Sequence, residues 1–173
     1  LRLKSAMGQD LVPEQTPDSV RSFTRALLRD LQALERMLDS GMIESGIRRI
    51  GAEQEFFLVG RGWRPSPKGV EVLERLGDPF TPELARFNLE INMDPLEFRD
   101  NCLSQMENSL HKEVDHVRKT VLEMGVDILL TGILPTIRKM DVDIKNLTPL
   151  QRYEALCEAI NKLRGKEFEL RIQ

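Results

Sequence analysis

Ile50-Gly-Ala-Glu-Gln-Glu-Phe-Phe-Leu-Val59 is the stretch on which the reading of this chain turns. Its aromatic and branched residues predict a strand over about 49–60. Side chains alternate across a strand, so Glu53 and Glu55 share one face. Ala52, Phe56 and Leu58 take the other. A carboxylate set among Phe and Leu is costly unless a positive charge meets it. The strand therefore needs helices on one side and something cationic on the other.

A second strand reinforces this pattern. Over about 86–93, Phe87, Leu89, Ile91 and Met93 alternate with Asn88, Glu90 and Asn92, so Glu90 and both asparagines fall on a polar face. Glu83 lies seven residues before Glu90, an odd spacing that one regular strand cannot keep on one face. It is expected in the Thr81-Pro82 turn, reaching in from the rim. Asn88 and Asn92 are candidates to line a substrate cavity, or simply to solvate the sheet.

Further out, Thr16-Pro17 reads as a helix start, with Thr as cap and Pro in the first turn. Val20, Phe23, Leu27, Leu31, Leu34 and Leu38 then recur at helical spacing up to Gly41 and predict a packing surface. A short helix is expected over Lys68–Leu76. A long one is expected over about 100–124, with Leu103, Met106, Leu110, Val114, Val117, Val121 and Met124 buried. Asp127–Leu134 reads as a third strand, apolar enough to be central. Thr148-Pro149 is expected to cap another helix lined by Tyr153, Leu156, Ile160 and Leu163. Phe168–Gln173 alternates as a last strand carrying Arg171, which could grip a phosphate or carboxylate or form a cross-strand salt bridge. The expected organisation is a leader over 1–15, a helix over 16–46 packing on the domain, and a main unit over 47–173. The fold class is α+β: a mostly antiparallel sheet with one open polar face and helices on the other.

The composition is that of a globular domain, with 40% hydrophobic and 31% charged residues. A net charge of −3 without a basic run argues against a nucleic-acid partner or a membrane surface. No stretch approaches the roughly 20 apolar residues of a membrane span. The two cysteines, Cys102 and Cys157, form no metal or disulfide pattern and read as the reduced thiols of a cytoplasmic protein. Arg48 and Arg49, with Arg61 and Arg64 nearby, read as a solvated edge, and His111 and His116 as surface histidines. No serine or cysteine nucleophile motif is present, so no catalytic side chain is assigned.

The glutamates carry the chemistry. Two carboxylates about 4 Å apart repel by roughly 1 kcal/mol in water and roughly 4 kcal/mol at an effective dielectric of 20. Several together need a shared proton or a bound cation. An all-oxygen set suits Mg²⁺ or Mn²⁺, with waters or substrate phosphates completing the shell. The spacing alone suits separate glutamates on a solvated sheet face equally well.

Gly51-Ala-Glu-Gln-Glu-Phe-Phe-Leu58, with Glu83 and Glu90 some thirty residues on, resembles the glutamate–cysteine ligase family of carboxylate–amine ligases, which is related in fold to glutamine synthetase. Thr131-Gly-Ile-Leu-Pro135 and Thr148-Pro-x-x-Arg152-Tyr153 are similar to that family as well, so the likeness covers roughly 48–173. It implies the N-terminal half of a catalytic domain and an ATP-dependent reaction that makes an amide through an acyl phosphate. It implies glutamate-like acid and cysteine-like amine substrates. By the same resemblance, Glu55, Glu83 and Glu90 would hold one metal ion and Glu53 would face a second. The family's later ligands, a strand histidine and another glutamate, have no counterpart before Gln173. Two other readings remain: a two-metal phosphate-ester hydrolase, and a non-catalytic module derived from the ligase fold.

Overall fold

The computed structural model describes residues 16–164. The leader over 1–15 and the alternating segment that carries Arg171 lie outside the described residues. In chain order the elements are α1 (Pro17–Asp39), β1 (Arg49–Ile50), β2 (Glu53–Val59), α2 (Gly69–Leu76), β3 (Phe80–Pro82), β4 (Asn88–Asn92), β5 (Leu96–Glu97), α3 (Cys102–Leu122), β6 (Asp127–Leu129) and α4 (Gln151–Arg164). Four strands form an antiparallel sheet in the order β3-β4-β2-β6, and β1 pairs with β5 in a separate ribbon. This is an α+β fold.

The strand expected over 49–60 is two strands. It breaks at Gly51 and Ala52, so β1 leaves for β5 while β2 enters the sheet. Strand β3 and the β1–β5 ribbon are too short to show a period in sequence.

One face of the four-stranded sheet carries the main core. Phe56, Leu58, Leu89 and Ile91 pack there against Val72, Leu73 and Leu76 of α2 and Val114, Val117 and Val121 of α3. The periodicity anticipated both helices, with one shift of phase. Cys102 is buried at the start of α3 and Leu103 is exposed, because the buried row runs 102, 106, 114, 117, 121. Helix α2 sits close to the sheet at Gly69, whose N–H donates to the Arg86 carbonyl at 2.7 Å. A Cβ at Gly69 would lie 2.5 Å from that carbonyl oxygen, so the contact requires glycine.

The opposite face is polar only at one end. Phe57, Val59, Phe87 and Leu134 form a second, smaller cluster at the other end, with Ala85, Leu129 and Ile137 against it. Phe87 was expected to face the helices with Leu89. Instead it lies beside Phe57, with ring centroids 6.3 Å apart, while its carbonyl accepts from Leu58 N–H at 2.7 Å. The chain turns through Arg86 and Phe87 before β4 begins, so the alternation starts one residue later than expected. The run Asp127–Leu134 also departs from expectation. It gives a three-residue edge strand, and its apolar remainder leaves the sheet so that Leu134 can cover Phe57.

Helix α1 is capped as expected. The Thr16 hydroxyl oxygen accepts from Ser19 N–H at 3.1 Å, and Pro17 follows it. Yet none of its residues is buried, and Phe23, Leu27, Leu31 and Leu38 are all more than half exposed. Thr148 does not cap α4, which begins three residues later at Gln151. On the apolar side of α4, Tyr153 and Ile160 are half-buried and Leu156 is exposed.

Candidate metal centre

The register brings the glutamates together across three strands. Glu55 on β2 is the direct partner of Glu90 on β4, and Glu90 is in turn the partner of Thr81 on β3. Directly opposed residues on an antiparallel pair hold their Cβ atoms about 5 Å apart. Glu83 follows β3 two residues after Thr81. It therefore comes to the same side as Glu90, but from a neighbouring strand. The sequence placed it on the rim without showing that a third strand carries it there.

Glu53 stands at the end of the row. It pairs with Asn92, whose amide donates to Glu90 Oε1 at 2.6 Å. Glu53 and Glu55 are exposed, while Glu83 and Glu90 are half-buried. Burial raises the Glu83 carboxyl above the ordinary glutamate range, against the lowering effect of the Leu84 N–H that it accepts from at 3.2 Å. A hydrogen-bonding approach of Glu90, and the charges of Glu90 and Glu55, raise it further. Glu83 thus already senses Glu90 and Glu55.

As these side chains stand, no three acidic, imidazole or thiol groups among the described residues converge tightly enough to enclose an ion. The donor set nevertheless fits a hard cation. All its atoms are oxygens, and Glu83, half-buried and within the influence of Glu90 and Glu55, is a carboxylate whose charge a cation would stabilise. Asn88 adds a buried Oδ1 with no hydrogen-bond partner, two residues before Glu90 and on the same face. An orphaned buried acceptor beside an acidic row is a further oxygen available to a cation or a donor from a ligand.

The Glu83 loop is held by the segment before α4. The buried Thr148 hydroxyl donates to the Glu83 carbonyl at 2.5 Å, and Thr148 N–H donates to the Leu84 carbonyl at 2.9 Å. Arg86 donates from its backbone N–H to Asn146 and from Nε to Leu147, both at 2.9 Å. Tyr153 Oη donates to the Pro82 carbonyl at 3.3 Å, while Arg152 lies over the Tyr153 ring. The Thr-Pro-x-x-Arg-Tyr run, read as a helix start, is a clasp on the rim of the glutamate row. Proline after threonine was the misleading signal.

Other residues settle differently. Asp141 pairs with Arg64 at 2.6 Å and accepts from Arg138 N–H at 2.7 Å. Arg49 is engaged by Glu44, and Arg48 lies over Phe98, so two of the four arginines near the first strand have local partners besides Arg64. Trp63, the single tryptophan, is exposed in a turn at φ 59°. His111 and His116 are exposed on α3, and Cys102 and Cys157 are free thiols.

Fold and site define an antiparallel α+β domain that presents a row of glutamates on the uncovered end of its sheet. The family model of glutamate-cysteine ligase family 2 matches residues 49–166, most of the chain. The chain belongs to that family. No curated protein and no solved structure gives a significant match. No helix among the described residues is long and apolar enough to cross a membrane.

Proposed function

We propose that this chain is the N-terminal part of the catalytic domain of an ATP- and divalent-metal-dependent carboxylate–amine ligase with a glutamine synthetase-like sheet. The observation that carries the proposal is the pairing of Glu55 with Glu90 across β2 and β4, flanked by Glu83, in a chain of this family. Glu55, Glu83 and Glu90 would hold one Mg²⁺ or Mn²⁺, and Glu53 would face a second. Bound there, the ions would supply positive charge between the ATP phosphates and a substrate carboxylate.

The rest of the reading concerns the chain's own residues. A substrate carboxylate oxygen attacks the γ-phosphorus, ADP leaves, and an acyl phosphate results. An amine nitrogen then attacks the acyl carbon, phosphate leaves, and the nitrogen gives up a proton. Neither step needs a protein nucleophile, in keeping with the lack of one in the sequence. Asn88, with its free Oδ1, and Asn92, already tied to Glu90, would line the acid substrate's approach. Thr148 and Tyr153 would keep the Glu83 loop at the height the row requires. The acid is expected to be glutamate-like and the amine cysteine-like, in the cytoplasm. Arg171, outside the described residues, is a proposed binder of the nucleotide phosphates on its charge alone.

The test is phosphate release from ATP by the protein, with and without glutamate and candidate amines, in Mg²⁺. Release that needs both acid and amine, and that Glu55→Gln or Glu90→Gln abolishes without unfolding, is the expected result. Amine-independent release would select a phosphate-ester hydrolase. Absence of both metal and nucleotide binding in calorimetry would select a non-catalytic module.

A further inference from the structure

The site leaves α1 without a role. This is a 23-residue helix with a strong apolar stripe and no buried residue. Eight large apolar side chains of α1 stand in solvent: Val20, Phe23, Leu27, Leu28, Leu31, Leu34, Met37 and Leu38. A contiguous exposed apolar face of this kind marks an interaction surface. Among the described residues, α2 and α3 cover one face of the sheet, and the cluster around Phe57 covers part of the other, leaving a polar end unsuited to an apolar stripe. The spacing of the stripe points to another helix. Thr24, Leu31 and Leu38 recur every seven residues, as do Val20, Leu27 and Leu34, which is the a and d pattern of a two-helix seam.

We propose that α1 pairs antiparallel with α1 of a second copy of this chain. The stripe is complementary to its own reverse. A twofold axis level with Arg29 sets Leu27 opposite Leu31, Thr24 opposite Leu34, and Val20 opposite Leu38. Thr24 is the one polar residue in the seam, and its hydroxyl is already satisfied, donating to the Val20 carbonyl at 2.9 Å. The flanking positions decide the direction. Antiparallel pairing places Arg21 of each copy beside Glu35 of the other, Phe23 beside Met37, and Leu28 beside Leu28. It leaves one like-charge meeting, Asp30 with its copy, at the solvated edge. Parallel pairing would set Asp30 against Glu35 on both sides, leave Arg21 no acidic partner besides Asp18 of its own helix, at 3.7 Å, and stack Thr24 on Thr24. Charges at these flanking positions set partner orientation in paired helices. The proposal stands on α1 alone and is independent of the ligase reading.

Sedimentation equilibrium of the full chain tests it. A mass twice that of one chain is expected, shifting to the single-chain mass on dilution. Leu31→Asp should give the single-chain mass at every concentration, while the circular dichroism of the sheet domain stays folded because α1 buries nothing against it. Arg21→Glu and Glu35→Arg should each weaken the dimer by several fold, and the double variant should restore it. Orientation is read by mixing Arg21→Cys with Glu35→Cys in a background with Cys102 and Cys157 replaced by alanine. The mixed disulfide should form faster than either like-with-like one. A single-chain mass for the parent, a mass unmoved by Leu31→Asp, or preferential like-with-like crosslinks would each overturn the proposal.

Discussion

Helix α1 and strand β4 carry equally regular apolar patterns, and they end in opposite environments. In β4, Leu89 and Ile91 are fully buried beneath α2 and α3. In α1, the stripe from Val20 to Leu38 is exposed throughout. Periodicity shows that a face needs cover. It does not show which element covers it, or whether that element belongs to the same molecule. The same contrast separates two kinds of stability. The sheet owes its own to long-range burial, whereas α1 rests on its cap, its length and its local hydrogen bonds.

Truncating each region should break the comparison most sharply. Phe56→Ala removes a fully buried ring from the main core and should cost about 3–5 kcal/mol in chemical denaturation. Leu27→Ala, measured at a concentration where copies are apart, should change the domain's unfolding by less than about 0.5 kcal/mol. An equal loss from both would mean that α1 does pack on the domain.

The clasp comes next. Thr148→Ala leaves the Glu83 carbonyl without its hydroxyl donor and should cost about 1–3 kcal/mol. Thr148→Ser should recover most of that. If the clasp serves the glutamate row, Thr148→Ala should also weaken Mn²⁺ binding in calorimetry by more than the loss of folded protein accounts for.

The smallest effect concerns pH. The folded state raises the Glu83 carboxyl, so folding favours its protonated form. The stability this contributes is fully present below the ordinary glutamate value of about 4.3 and is lost as pH rises through the raised value. Without divalent ions, melting temperature should therefore fall across that window. Glu83→Gln should flatten the fall, and saturating Mg²⁺ should reverse it at neutral pH. A wild-type profile identical to that of Glu83→Gln would show that the row exerts no strain.

Much of this was legible beforehand. The Glu-x-Glu alternation put Glu53 and Glu55 on one face, and the 88–92 alternation put Glu90 between two asparagines. Both hold because side-chain direction in a strand is fixed by local backbone geometry. The helices over 17–39, 69–76 and 102–122 were visible for the same reason. What was misread depended on partners far along the chain. Phe87 looked like a core residue of β4, but Phe57 on β2 drew it to the other face. Thr148 looked like a cap, but Glu83 took its hydroxyl. Asp127–Leu134 looked central because it is apolar, and its apolar residues were serving a second cluster.

The sequence by itself determined that Glu53 and Glu55 share a face, that Glu90 falls between Asn88 and Asn92 on a polar face, and where α1 begins and stops. Each is a property of neighbouring residues along one backbone. Only the tertiary structure decided that Glu55 stands opposite Glu90, that a third strand carries Glu83 to join them, and that α1 remains uncovered. Strand order and register are set by burying many side chains at once. No local pattern records the outcome of that competition.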